Sequence, residues 1–228
     1  LAASVAIWRL WILQGGHLPE LLAGHSLGEY SALVCADVIS LREAAKIVYQ
    51  RGKYMQEAVP AGTGGMAAIL GLDDDKIIAI CKDVQQGSVV SAANFNSTGQ
   101  TVIAGEKAAV ERAMHACKEA GAKRALPLNV SVPSHCALML PAAQKLGEDL
   151  AQVTFKTPTV PIVQNINGLV AKTPDEIRDN LLKQLYMPVQ WVDTINCMWE
   201  LGLGRIVECG PGKVLCGLIK RIEPEIEC

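Results

Sequence analysis

A serine between two glycines is the first group in this chain that could do chemistry. It lies in Leu21-Leu22-Ala23-Gly24-His25-Ser26-Leu27-Gly28-Glu29-Tyr30, where an apolar approach runs into G-x-S-x-G and a helix-compatible segment follows. A strand, a sharp turn and a helix with serine at the apex make a nucleophile elbow. Both glycines are expected to be sterically required, because side chains there would collide with neighbouring backbone. The hydroxyl would then stand at a helix N-terminus, where free N–H groups stabilise a developing oxyanion. The same pattern also fits an ordinary serine N-cap after a glycine turn.

A nucleophilic serine needs a base, and the chain holds four histidines. His25 sits inside the elbow with its side chain directed away from Ser26; His115 falls on the exposed face of a helix; His17 lies in a glycine-rich loop. His135 follows Val132-Pro133-Ser134 at a seam between two parts of the chain, and it is the favoured base. No triad acid stands out between 26 and 135, since Asp73, Asp74, Asp75, Asp83 and Glu106 fall on helix caps or polar faces. The reading is a Ser–His dyad whose imidazole is oriented by something other than a carboxylate. Arg51 borders the apolar stripe of a long helix, where spacing alone favours a snorkelling side chain over an anion-binding guanidinium.

Bulk properties narrow the class. The chain has 228 residues, half of them hydrophobic, and a formal net charge of −2. That suits one large α/β domain or a domain with a subdomain inserted, and argues against a nucleic-acid partner. No apolar run reaches membrane-spanning length. The eight cysteines form no C-x-x-C and read as free thiols in a reducing compartment, the cytoplasm or an organelle matrix. Gly210-Pro211-Gly212-Lys213 lacks the Walker A spacing, and neither a metal nor a cofactor is expected. The chain opens at Leu1 inside an apolar helical pattern and lacks a secretory signal, so it reads as a piece of a longer protein.

Elements that must position these groups follow from periodicity. Ser4 to Gln14 reads as a buried helix. Ser40 and Glu43 form a capping box for a long helix with Leu41, Ala44, Ala45, Val48, Gly52, Met55 and Val59 inward, stopped at Pro60. From Met66 the rhythm becomes β-α-β-β-α-β: strands at 66–70, 88–93, 101–104 and 123–128, helices at 73–84 and 106–120, and a turn at 94–100. Residues 61–130 therefore read as a ferredoxin-like insert in a larger body of 1–60 and 131–228. Further strands are expected at 160–163 and 205–209, and helices from Pro141, from Pro174 behind a Thr173–Glu176 capping box, and from Val189 to Leu201.

Six motifs appear in order: Gly24-His25-Ser26-Leu27-Gly28-Glu29-Tyr30, Gln50-Arg51-Gly52-Lys53-Tyr54-Met55, Asn94-Phe95-Asn96, Val132-Pro133-Ser134-His135, Gln184-Leu185-Tyr186 and Glu208-Cys209-Gly210-Pro211-Gly212-Lys213. Together they resemble the malonyl-CoA:acyl-carrier-protein transacylases of type II fatty-acid synthesis, over essentially the whole chain. The resemblance implies an α/β-hydrolase-like large subdomain with an inserted ferredoxin-like small one. It implies ping-pong transfer from malonyl-CoA to acyl carrier protein, with Ser26 as nucleophile and His135 as base. It further implies a backbone carbonyl at Gln184 orienting His135, Arg51 pairing with the malonyl carboxylate beside Met55, and the Leu27 N–H as an oxyanion donor. The family's first strand and its glutamine-bearing oxyanion loop have no counterpart here. One lost oxyanion donor costs ~10²–10³ in rate, so low activity is expected of this stretch alone.

The resemblance also implies a monomer that docks an acidic carrier protein. Lys118, Lys123, Arg124, Lys213, Lys220 and Arg221 are the basic candidates for that surface. Alternatives from the residues are the acyltransferase domain of a polyketide or polyunsaturated-fatty-acid synthase, a serine hydrolase, and a non-catalytic carrier-binding scaffold.

Overall fold

The computed structural model describes residues 1–130 and 132–228. Ser131, within the expected approach to His135 and at the expected boundary of the insert, lies outside the described residues.

The first helix, α1 (Ala2–Leu13), departs from expectation. Val5 is its one buried residue, and Ile7, Leu10, Trp11 and Leu13 face outward. Its apolar residues occur all round the cylinder, and that pattern alone does not say which side is covered. Next come α2 (Leu27–Cys35), which carries the elbow, and α3 (Leu41–Ala58). The capping box of α3 forms as the spacing requires: the Glu43 N–H donates to Ser40 Oγ at 3.2 Å and the Ser40 N–H to Glu43 Oε2 at 2.9 Å. The inward face is rotated from the expected one, with Ala44, Ile47, Arg51 and Met55 buried while Ala45 and Gly52 are exposed. Counting only apolar residues hid the arginine at its centre.

The sheet is built from β1 (Gly64–Leu70), β2 (Val90–Ser97), β3 (Gln100–Glu106), β4 (Arg124–Pro127) and β5 (Val189–Gln190), in the order β4-β1-β3-β2-β5. β1 to β4 pair antiparallel, and α4 (Asp74–Asp83) and α5 (Lys107–Glu119) bury Ile77, Cys81, Val110 and Cys117 against Ile69, Ile103 and Ala125. The expected turn at 94–100 is mostly strand. β2 runs on to Ser97 through irregularities at Ala92/Asn94 and Phe95/Ser97, so polar Asn94 and Asn96 ride on a bulged strand rather than a loop. β5 joins β2 in parallel and brings the chain at 189–190 onto the same sheet.

Outside that sheet, α6 (Leu140–Ala151), α7 (Pro174–Gln184), α8 (Trp191–Glu200) and α9 (Val214–Ile222) complete the α/β fold. Strands expected at 160–163 and 205–209, and the one leading into the elbow, are reduced to isolated bridges: Leu22 with Ile162, Val163 with Val170, and Arg205 with Glu227. A strand forms its ladder only with a partner from elsewhere in the chain, which local pattern does not reveal. Helices α2, α3, α6 and α7 close one core around Tyr30, Leu33, Ile47, Leu146, Leu150 and Leu181. The second face of the sheet packs Met66, Ala93, Val102 and Ala104 on Cys136, beside His135.

Thr173 caps α7 by accepting from the Glu176 N–H, but Glu176 reaches back to the Lys172 N–H, one residue before the cap. The cysteines correct another expectation. Cys216 and Cys228 form a disulfide, their Cα atoms 5.5 Å apart, while the other six are free thiols. The chain after α9 folds back on that helix, and a separation of 12 residues carries no signal for such a return.

Ser40→Ala removes the α3 cap and is expected to cost about 1 kcal/mol. For a chain of this size that is a fall of roughly 2–4 °C in Tm by calorimetry.

Candidate active site

The elbow turns at a strained residue. Ser26 holds φ 52° and ψ −109°, a region costing a non-glycine residue about 1–3 kcal/mol. Strain of this kind persists only where surroundings over-determine it. Asn165 does so here: its Oδ1 accepts from the Ser26 N–H at 2.6 Å and its Nδ2 donates to the Gly24 carbonyl at 2.7 Å, bracing the turn from both sides.

The two glycines of the elbow are not equivalent. A Cβ on Gly24 would lie 2.0 Å from the Gly28 carbonyl carbon and 2.4 Å from the Glu29 nitrogen, so the tight turn admits no side chain there. A Cβ on Gly28 would meet nothing within 4 Å, which corrects the expectation that both are sterically required.

His135 arrives from a loop and has φ 61°, a second strained residue facing the first. Its Nε2 lies 2.9 Å from Ser26 Oγ. Its Nδ1 lies 2.6 Å from the Gln184 backbone carbonyl at the end of α7. A carbonyl only accepts, so Nδ1 carries the proton and Nε2 is left as the acceptor for the serine hydroxyl. Burial, reinforced by the Arg51 charge, pushes the imidazole down to about 3, so it stays neutral as a base across the physiological range.

Arg51 lies on the buried face of α3, only 6% exposed, and is not a snorkelling side chain. Its Nη2 donates to Ser26 Oγ at 3.1 Å and to Gln184 Oε1 at 3.3 Å. Its Nε is buried with no partner among the described residues, and the guanidinium lies 5.8 Å from the centre of the Tyr30 ring. A desolvated guanidinium with a donor free beside a nucleophile is suited to a bidentate anion. The Leu27 N–H is the first of α2, directly after Ser26. Met55, one turn beyond Arg51, is buried in the core between α2, α3, α6 and α7.

The other histidines stand apart. His25 points away from Ser26 and bonds Asn96 Oδ1 through Nε2 at 2.7 Å, with Trp191 packed on its ring. His115 pairs with Glu119 on the surface of α5, and His17 is exposed.

Sequence reasoning missed the polar groups behind the elbow. Glu29 is 1% exposed. It accepts from Gln164 Nε2 at 2.7 Å, the Asn165 N–H at 3.1 Å and Gln184 Nε2 at 2.8 Å. Asn180 Nδ2 in turn donates to Gln164 Oε1 at 2.7 Å. The one sequence signal was an acid in the first turn of an otherwise apolar helix, which reads equally as a favourable helix-dipole charge. Among the described residues no group of His, Cys, Asp and Glu could hold a metal, and no helix is long and apolar enough to cross a membrane.

The acyl transferase domain family matches residues 1–220. The chain belongs to that family. It is 60% identical over 222 residues to the malonyl CoA-acyl carrier protein transacylase of Salmonella typhimurium strain LT2, covering 97% of this chain and 72% of that protein. Its fold superposes with a TM-score of 0.98, at 57% identity, on an acyl carrier protein S-malonyltransferase from Vibrio cholerae, covering 99% of this chain and 74% of that one. It superposes equally well, also at 57% identity and over 99% of this chain and 73% of that one, on a malonyl-transacylase in complex with a type II polyketide-synthase acyl-carrier protein.

Within this acyltransferase, Gly24→Ala is expected to lose at least about a hundredfold in Ser26 acylation, because the elbow must open to admit the methyl. Gly28→Ala should instead hold or slightly raise Tm, since alanine suits a helix better. Equal losses of Tm in the two variants would contradict the asymmetry.

Proposed function

We propose that this chain moves a malonyl group from malonyl-CoA to the phosphopantetheine thiol of acyl carrier protein, through an ester on Ser26. The observation that carries this reading is the buried Arg51 guanidinium within 3.1 Å of the nucleophile, because it selects an acyl group bearing its own carboxylate. The names of the relatives support it.

The residues divide the work as follows. Arg51 pairs with the free carboxylate of malonyl and leaves the thioester carbonyl over Ser26. His135 Nε2 takes the hydroxyl proton as Oγ bonds to that carbonyl carbon. The oxyanion of the tetrahedral intermediate accepts from the Leu27 N–H. Collapse breaks the C–S bond, and the departing CoA thiolate takes the proton from His135. In the second half the carrier thiol gives its proton to His135 and attacks the ester, and Ser26 Oγ leaves with that proton. The Gln184 carbonyl keeps Nδ1 protonated throughout. A neutral carbonyl in place of a carboxylate holds the tautomer without deepening the charge on the imidazole, which explains the absent triad acid. Activation of water by the same dyad would make a hydrolase; the transacylase and S-malonyltransferase names of the relatives favour transfer.

Residues 61–130 are proposed as the small subdomain, supported by their separate core, with 1–60 and 131–228 as the large one. Carrier docking is proposed along one end of the sheet. Arg124 and Gln100 both pair with Leu70 across β4-β1-β3, and Arg221 of α9 donates to Gln100 Oε1 at 2.7 Å. Lys123, Arg124 and Arg221 are thus exposed along one rim.

Incubation with malonyl-CoA should add one malonyl by intact mass, and Ser26→Ala should add none. Arg51→Ala should lose malonyl loading by at least about a hundredfold while acetyl loading persists; an unchanged malonyl-to-acetyl ratio would remove Arg51 from the site. Charge reversal at Lys123 and Arg124 is expected to raise the carrier KM about tenfold at low salt and leave the malonyl-CoA KM alone. An unaltered carrier KM would place docking elsewhere.

A further inference from the structure

The buried carboxylate of Glu29 has no part in the dyad, yet three N–H donors converge on it. The Asn165 backbone N–H fixes the polarity of the cluster, because it can only donate, and it meets Oε2 at 3.1 Å. Gln184 Nε2 meets the same oxygen at 2.8 Å and also donates to the Ser26 carbonyl at 3.1 Å. With its amide nitrogen committed to these two acceptors, Gln184 must present Oε1 on its other side. Arg51 Nη2 binds there at 3.3 Å while reaching Ser26 Oγ at 3.1 Å. Glu29 makes no direct ion pair with Arg51. One amide stands between the two charges, so the guanidinium is aimed without being neutralised.

We propose that Glu29 is a positioning residue for the malonyl-anchoring arginine: its carboxylate turns the Gln184 side-chain amide so that Oε1 receives Arg51 and holds the guanidinium over Ser26. The inference rests on the reading of Arg51 as the malonyl anchor. It separates two duties of Gln184: the backbone carbonyl orients His135 for any acyl group, whereas the side-chain Oε1 aims Arg51, which matters to acyl groups that carry a carboxylate.

Ionisation of Glu29 is what supplies the acceptor. Burial pushes its carboxyl up to about 7, partly offset by the Gln184 and Asn165 hydrogen bonds and the Arg51 charge. Arg51 from α3 and Tyr30 beside it on α2 are the charged or titratable groups acting on it. The α7 and 164–165 segments present only amides. Protonation puts a hydrogen on an oxygen that faces only donors, and the clamp on Gln184 loosens. Malonyl keeps its own carboxylate ionised well below neutral pH.

The test is the ratio of single-turnover Ser26 loading by malonyl-CoA to that by acetyl-CoA, read by intact mass between pH 5.5 and 8.5. In the unaltered protein the ratio should fall about tenfold as pH drops through about 7. Glu29→Gln should show a ratio that is lower and flat with pH, near the low-pH value of the unaltered protein. Gln184→Met keeps the backbone carbonyl and loses the amide; it should lower the malonyl-to-acetyl ratio about tenfold at every pH, whatever loss it brings to the two loadings in common. It serves also if Glu29→Gln fails to fold. A ratio independent of pH in the unaltered protein, or left intact by Gln184→Met, overturns the proposal. Arg51→Ala in the same assay separates the two readings: an unchanged ratio there removes the anchor itself, whereas a ratio lost there but kept in the Gln184 and Glu29 variants removes only the positioning role.

Discussion

A single buried carboxylate ties together segments that are far apart in the chain. Glu29 belongs to the helix that follows the nucleophile, Gln164 and Asn165 to a stretch after α6, and Gln184 to the end of α7. An isolated charge at this depth would cost several kcal/mol, so it is tolerable only with its hydrogen bonds complete. Two of the three residues that donate to Glu29 also have a second duty. Asn165 braces the elbow, and Gln184 holds both His135 and Arg51. The site is therefore one network, and its members are expected to be energetically coupled rather than additive.

The network lets two strained residues face each other. Ser26 and His135 both hold positive φ, which a loose loop would relax. The His135 N–H donates to the Leu185 carbonyl at 3.0 Å, its Nδ1 is fixed by the Gln184 carbonyl, and Cys136 behind it is packed under the sheet. Those anchors keep Nε2 at hydrogen-bond distance from the serine before any substrate binds. Preorganisation of this kind is a larger source of rate than any one contact.

Electrostatics assign roles that proximity alone would leave open. Glu29 and His135 are both deeply buried, and burial moves each toward its neutral form: the carboxyl upward, the imidazole downward. For His135 this is an asset, because a base must begin neutral. For Glu29 the hydrogen bonds and the Arg51 charge work against burial and leave it poised near neutrality. The positive charge at the reacting centre is then Arg51, with no carboxylate in direct contact, which suits a dianionic transition state built from malonyl.

By itself the sequence determined the elbow, the capped long helix and the order of strands and helices from 64 to 127. Each is written in local spacing: G-x-S-x-G around Ser26, Ser40 three before Glu43, and runs of periodic apolar residues. Tertiary structure alone decided which face of α3 is buried, and so that Arg51 points inward. It alone showed that Gly24 is confined while Gly28 is free, and that Asn94 and Asn96 lie on a bulged strand. It also revealed the polar cluster of Glu29, Asn165, Gln164 and Gln184 and the Cys216–Cys228 bond. The physical reason is common to all of these. Local periodicity reports what a segment prefers to bury, but a hydrogen bond or a close approach between groups that the fold brings together exists only once the helices and the sheet have closed around it.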